Sequence, residues 1–224
     1  MASSILSISN LNVNYQNNSN VISNFNLEVL NGELVVILGD SGSGKSTLLN
    51  YISGFLINPT ENTFGKLAYI ECIVSGRIHI DGIEYTNIDP RNRPVGLVMQ
   101  KFELYPHLTV WKNLEFPLKL KGIEKSVRRT HIDDILSSLK ISDLKNKSPN
   151  SLSVGQAQRV MIGKLLLQNK KVNLFDEAFS HLDPILRREL TSIVREKLKS
   201  ENTCILFVSH EVTDARHADK IVVF

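Results

Sequence analysis

Cysteine is nearly absent from this chain of 224 residues: Cys72 and Cys204 are the only two. They stand far apart, each among apolar neighbours, in no metal-ligand pattern. A cysteine metal site is therefore excluded, and buried reduced thiols in a cytosolic protein are expected. Long apolar runs are also missing. Nothing approaches the ~18 residues needed to cross a bilayer, and the first residues, MASSILSISNLNVNY, have neither the basic start nor the apolar core of a secretory signal. Any link to a membrane must go through a partner. Charge of one sign is scarce too, since 26 Lys and Arg against 23 Asp and Glu leave a formal net charge of +3. The basic residues, such as Lys125, Arg128, Arg129, Lys145 and Lys147, are dispersed over polar helix faces, so no nucleic-acid partner is expected. Internal repeats, low-complexity tracts and linkers are not visible.

The rest of the composition, 42% hydrophobic and 22% charged, is that of an ordinary globular protein with room for one substantial α/β domain or two small ones. Residues 5–15 and 20–29 alternate enough to predict two strands, joined by an Asn-rich turn over Gln16–Asn20. Glu33–Leu38 (ELVVIL) is a short continuous apolar run, suited to a strand buried on both faces. A Gly/Ser loop and a helix over Lys45–Ser53 follow it. Further strands are predicted at Arg77–Ile80, Gly96–Gln100, Val172–Phe175, Cys204–Ser209 and Lys220–Phe224. Over 126–140, Ile132, Ile135, Leu136 and Leu139 share one helical face. Over 184–199, Leu186, Leu190, Ile193, Val194 and Leu198 do the same, with Asp183 placed to cap and Pro184 at the first helical position. This alternation of strand and helix predicts an α/β fold with a mainly parallel sheet. The helix-rich middle, roughly 101–168, reads as a helical subdomain inserted into it.

Gly39, Asp40, Ser41, Gly42, Ser43, Gly44, Lys45 and Ser46 spell GDSGSGKS, a full match to the phosphate-binding loop pattern, and Thr47 follows. Glycines let the loop wrap a phosphate chain with its own N–H groups. Lys45 can reach the β and γ phosphates, the Ser46 hydroxyl can ligate Mg²⁺, and the helix that starts here turns its positive end to the anion. Nucleotide binding follows from the loop and its strand-to-helix setting.

Val172–Glu177 (VNLFDE) is an apolar strand ending in two carboxylates. Asp176 can hold Mg²⁺, directly or through water, and Glu177 can orient or deprotonate an attacking water. Two acids closing a strand are often plain surface residues; behind a phosphate loop they read as functional. Asn173 is a polar intrusion into a strand that should be buried.

LSVGQ (Leu152–Gln156) runs into AQRV about twenty residues before Asp176. Alone it is a weak motif, a small-residue turn opening a helix. Its order decides the matter. The loop, then Gln100 ending a strand, then LSVGQAQRV, FDE, SHLD and a histidine after FVS resemble the ATP-binding cassette (ABC) family over nearly the whole chain. The resemblance implies the ABC ATPase fold over residues 1–224, with an amino-terminal antiparallel part. It implies ATP and Mg²⁺ as cofactors and ATP hydrolysis coupled to transport. Tyr15 resembles the aromatic that stacks on adenine, which is worth ~1–3 kcal/mol. Gln100 matches the glutamine that senses metal and γ-phosphate, Ser180–Asp183 the loop coupling two subunits, and His210 the switch histidine on the γ-phosphate. Family cassettes pair head to tail, so Ser153, Gly155, Gln156 and Asp183 are expected to act in trans. ELYPHLTV (Glu103–Val110), followed by Asn113, is similar to the segment that receives the membrane subunit in importer cassettes for polyamines, sugars, iron or thiamine. The implied partners are transmembrane permease subunits, a second cassette and a substrate-binding protein. The implied location is peripheral, on the cytoplasmic face of the membrane.

Several positions depart from the family pattern. Val154 replaces a usual signature glycine. If that turn needs positive φ, the stiff valine would strain it and slow turnover; if it uses ordinary φ, the valine is harmless. Ala178 stands for a usual proline and Lys164 for a usual arginine. Residues 61–74 look like an insertion. The trailing strands and regulatory domain of many relatives are missing after Phe224, so regulation through such a domain is not expected. Two other readings were set against transport. A degenerate cassette that only binds ATP is opposed by Gln100, Glu177 and His210. A soluble repair or translation ATPase would carry a coiled-coil insertion or a second cassette.

Overall fold

The computed structural model describes residues 4–15, 20–56, 72–99, 104–179, 184–199 and 203–224. It divides into two compact units: Met1–Leu97 with Lys171–Asp176 and Asn202–Phe224, and Val98–Lys170 with Glu177–Glu201.

The first unit carries two sheets. In the antiparallel one, β1 (Ser4–Tyr15) lies between β2 (Asn20–Leu30) and β4 (Cys72–Ile80), with the short β5 (Ile83–Glu84) beyond β4. In the second, β3 (Leu34–Leu38), β6 (Val95–Val98), β7 (Val172–Asp176), β8 (Cys204–Ser209) and β9 (Lys220–Val223) stand in the order β6-β7-β8-β3-β9. Pairing is parallel from β7 to β8, β8 to β3 and β3 to β9. The central strands are continuous apolar runs because both faces are covered: Val35, Ile37, Leu174, Leu206 and Val208 are buried. Helix α1 (Lys45–Ser53) adds Leu48, Leu49, Tyr51 and Ile52 to the same core as Leu6, Ile8 and Ile78 of the antiparallel sheet. Both cysteines are buried and free.

The predicted strands and helices are present with small shifts of boundary. β4 begins at Cys72, so residues 72–74 belong to a strand and not to an insertion; residues 57–71 lie outside the described part, as do 16–19 of the Asn-rich turn. Reading missed β4's first half because Gly76 interrupts its alternation.

Asparagines shape β1 and β2. Asn10 (φ 52°) and Asn24 (φ 45°) are left-handed, and the pairing slips a register between Ile8 and Leu11. The Asn26 side chain accepts from Asn10 N–H at 2.9 Å and donates to the Asn24 carbonyl at 2.9 Å. The Asn12 side chain repeats the arrangement in reverse, accepting from Asn24 N–H at 2.8 Å and donating to the Asn10 carbonyl at 2.9 Å. Asn tolerates the left-handed region better than other side chains, and the two amides satisfy the backbone groups that the bulges release.

In the second unit, α2 (Val110–Leu120), α3 (Lys125–Ser138), α4 (Val154–Leu166) and α5 (Pro184–Lys199) bury Leu114, Leu118, Ile132, Ile135, Leu136, Val160, Ile162, Leu190 and Val194. The apolar face predicted for 126–140 is buried, Leu139 included. Asn113, fully buried, fixes the loop ahead of α2: its Oδ1 accepts from Tyr105 N–H at 2.8 Å, and its Nδ2 faces the carbonyls of Tyr105, Leu108 and Thr109 at 3.0–3.2 Å. The Lys164 ammonium lies 4.3 Å from the centre of the Tyr105 ring.

One buried charge holds α1 in place. Gly54, left-handed at φ 85°, ends the helix, and a Cβ there would lie 2.6 Å from Arg93 Nε. Arg93 is 1% exposed. Its guanidinium donates to the carbonyls of Ile88, Tyr51, Ile52 and Thr86 at 2.8, 2.9, 3.0 and 3.1 Å, two of them at the helix end where carbonyls lack helical partners. Burial pushes its pKa down to about 10, which still leaves it charged at neutral pH. Arg93→Leu should therefore lower the unfolding free energy by about 3 kcal/mol, the scale of stranding carbonyls that a buried charge had satisfied. Urea denaturation reads this directly, and a loss below about 1 kcal/mol would show that the clamp is dispensable.

Candidate nucleotide site

The site in the first unit is built from the ends of strands. β3 ends at Leu38, whose register partner on β8 is Ser209. Gly39 and His210 therefore leave the sheet side by side from adjacent strands. β7, on the other side of β8, ends in Asp176. In open parallel sheets, ligands bind beyond these carboxyl ends.

Between β3 and α1 the loop Gly39–Gly44 turns through left-handed Gly42 (φ 84°) and Gly44 (φ 108°). Gly44 has no alternative, because a Cβ would lie 3.0 Å from Val21 Cγ1 and 3.2 Å from the Val21 carbonyl. Lys45 opens the helix and is 5% exposed. Its ammonium donates to the carbonyls of Gly39 and Asp40 at 2.7 and 2.6 Å, which holds the charge over the loop. Ser46 Oγ donates to Asp176 Oδ2 at 3.4 Å, so the hydroxyl and the carboxylate named from the sequence meet. This hard-oxygen pair suits Mg²⁺, which takes one or two protein oxygens and fills the remainder with phosphate and water.

Tyr15, at the end of β1, reaches the helix that follows the loop: its hydroxyl is 3.0 Å from Thr47 Oγ1. His210 is exposed after the fully buried β8. A clip that sequence reading missed shapes its loop. Ser209 Oγ donates to Asp214 Oδ2 at 2.6 Å and accepts from Glu211 N–H at 2.9 Å, closing a turn around the histidine. Ser/Thr–Asp spacing of this kind is too common in sequences to signal it.

Glu177 begins the second unit with φ 48°. A glutamate in the left-handed region is uncommon and costs of order 1–3 kcal/mol; nothing in VNLFDE announces it. Ser153, Gly155 and Gln156 also belong to the second unit. Ser153 caps α4, with its side chain accepting from Gln156 N–H while the Gln156 side chain accepts from Ser153 N–H, a reciprocal box. Gln100, Asp183 and the rest of Ser180–Asp183 lie outside the described residues.

Comparison with known proteins agrees with this geometry. Residues 22–180 match the model of the ABC transporter family. The chain belongs to that family. Among its relatives, the maltose/maltodextrin import ATP-binding protein MalK of Mannheimia succiniciproducens is 37% identical over 88% of this chain and 50% of its own length. The sn-glycerol-3-phosphate import ATP-binding protein UgpC 1 of Rhizobium johnstonii is 36% identical over 91% and 51%. The chain thus spans about half the length of these relatives. Among solved structures, cbiO1 of Clostridium perfringens superposes with a TM-score of 0.82 at 27% identity, covering 98% of this chain and 84% of that one. A dimeric ATP-binding cassette bound to ADP and Pi superposes at 0.80 with 29% identity, covering 98% and 94%. This ABC protein therefore has the ABC ATPase fold, with its antiparallel and parallel sheets.

Val154 resolves the choice left open by its sequence. It is the first residue of α4, it is absent from the positive-φ residues, and it is 52% exposed. The turn uses ordinary φ, so the strain expectation is corrected: valine here needs no left-handed conformation. Val154→Gly should accordingly leave ATP turnover in the assembled complex unchanged or lower, because glycine loosens the first helical turn. A clear rise in turnover would mean that the turn must leave helical φ to work.

Proposed function

We propose that this chain is the ATP-hydrolysing, nucleotide-binding subunit of an ABC importer, acting through membrane permease subunits. The observation that carries the reading is the meeting of Ser46 and Asp176 at the strand ends of a family-type sheet, beside a loop whose carbonyls hold the Lys45 ammonium. The residues from Gly39 to Thr47 would bind the phosphates, with Lys45 exchanging carbonyl partners for phosphate oxygens, and Tyr15 would stack on the adenine. Ser46 and Asp176, with Gln100, would hold Mg²⁺, which supplies charge neutralisation on the phosphates. Glu177 would orient the attacking water and take its proton, and His210 would donate to the γ-phosphate. Ser153, Gly155, Gln156 and Asp183 would serve the ATP of a second cassette, as the dimeric state of the matched ADP-bound cassette supports. Residues 1–224 would form one ATP-binding domain with its helical subdomain near 101–168.

The names of the two relatives, both import ATP-binding proteins, support the import direction; a substrate-binding protein as partner and a place on the cytoplasmic face of the membrane would go with it. No described helix is long and apolar enough to cross a membrane.

Two expected outcomes test the proposal. Lys45→Ala should bind or turn over ATP severely less well, while Glu177→Gln should bind ATP and lose at least ~10²-fold in turnover, a general-base contribution. A wild-type rate for Glu177→Gln would remove its catalytic assignment. Membrane docking is read at the loop ahead of α2. Tyr105 packs on Phe116, with ring centres 4.9 Å apart, so charging it would damage the fold; Pro106 and His107 are exposed. His107→Glu should release the subunit from permease-containing membranes without loss of nucleotide binding, and unchanged co-sedimentation would place the docking surface elsewhere.

A further inference from the structure

We propose that the hydrogen bond between Tyr15 and Thr47 couples recognition of the base to recognition of the phosphates, so that the two ends of the nucleotide bind cooperatively. The inference rests on the reading of Tyr15 as the base-stacking residue and goes beyond it, since stacking needs only the ring and the coupling needs the hydroxyl.

Two separate contacts join the end of the antiparallel sheet to the phosphate loop. From β1, the half-buried Tyr15 places its hydroxyl 3.0 Å from Thr47 Oγ1. From β2, Val21 and Ile22 close on Gly44 so tightly that a Cβ there would meet Val21 Cγ1 at 3.0 Å and Ile22 Cγ1 at 3.6 Å. The start of β2 is thus packed against the last residue of the loop, and the end of β1 is bonded to the third residue of α1. Movement of the loop on a phosphate chain is transmitted to the strand ends that carry Tyr15.

The chemistry of the two hydroxyls gives the coupling a direction. A threonine hydroxyl has one proton and two lone pairs, and a tyrosine hydroxyl has the same inventory with a more acidic proton. Either can donate in an isolated pair. When Thr47 gives its proton to a phosphate oxygen, only its lone pairs are left for Tyr15, so Tyr15 becomes the donor. A hydroxyl that donates to an anion is a better acceptor, because hydrogen bonds in a chain polarise one another. Phosphate occupancy then tightens a bond that already stands without nucleotide, and holds the tyrosine ring more firmly for the stacked base. Thr47 is nearly buried, at 9% exposure, so water competes poorly for the bond. Phenylalanine at position 15 would keep the ring and lose this device.

The test is ADP binding to the purified full chain, measured by calorimetry for wild type, Tyr15→Phe, Tyr15→Ala, Thr47→Val and the Tyr15→Phe/Thr47→Val double variant. Tyr15→Phe should weaken ADP about fivefold, because the bond, already made without nucleotide, is strengthened when Thr47 donates to phosphate. In the Thr47→Val background the same change should cost less than twofold, because the bond is already gone. Thr47→Ser, which keeps the hydroxyl, should restore most of the sensitivity to Tyr15→Phe and guards against a valine variant that fails to fold. Equal, additive losses in both backgrounds would overturn the coupling. So would Tyr15→Phe binding like wild type while Tyr15→Ala is weak, an outcome that leaves stacking intact. If Tyr15→Ala also binds ADP like wild type, the stacking reading falls and the coupling falls with it.

Discussion

Backbone N–H groups can hold a phosphate chain only if they are unpaired, aligned and kept from relaxing into bonds with their own chain. That constraint organises the first unit. The loop from Gly39 to Gly44 is anchored at one end by β3, paired on both sides within the parallel sheet, and at the other by α1. The helix in turn is held at its far end by Arg93, whose four carbonyl contacts reach from Thr86 to Ile52. Between these anchors the loop has little freedom to collapse. A buried guanidinium is an expensive means of holding a helix. Here it is fully satisfied, and a neutral side chain could not reach the same four acceptors.

Charge is distributed with the same economy. Lys45 keeps its ammonium on two carbonyl oxygens rather than on a carboxylate, so no strong ion pair opposes its transfer to phosphate. Asp176 is engaged by the Ser46 hydroxyl at 3.4 Å, a long contact that a metal ion can replace. The groups that must respond to a nucleotide thus rest on neutral partners, carbonyls for Lys45 and a hydroxyl for Asp176, that phosphate and metal can replace.

Much of this was legible in the sequence, for identifiable reasons. Helix α1 was read with its observed bounds because an apolar strand, a glycine loop and a periodic stretch follow one another without ambiguity. β8, with every residue buried, stands out as a run of apolar residues between polar flanks. The pairing of Ser46 with Asp176 followed from the chemistry each motif needs. Other features carry no local signal. Arg93 is one arginine beside a proline, and its hold on α1 runs through the carbonyls of Tyr51 and Ile52, about forty residues away. The φ values of Glu177 and Val154 depend on how the chain enters and leaves its elements, which residue identity does not encode. β4 extended further than expected because its first half is paired along β1, whatever its own alternation.

The paired asparagine bulges also bear on the edge of the antiparallel sheet. β2 is an edge strand, and a flat edge is a template on which another copy could add its own strand and start an aggregate. Left-handed Asn24 kinks that edge, and the amide of Asn26 turns inward to serve Asn10 and Asn24. With these four bonds closed, β2 no longer offers a straight ladder. The bulges thus take from this edge the straightness that strand addition needs.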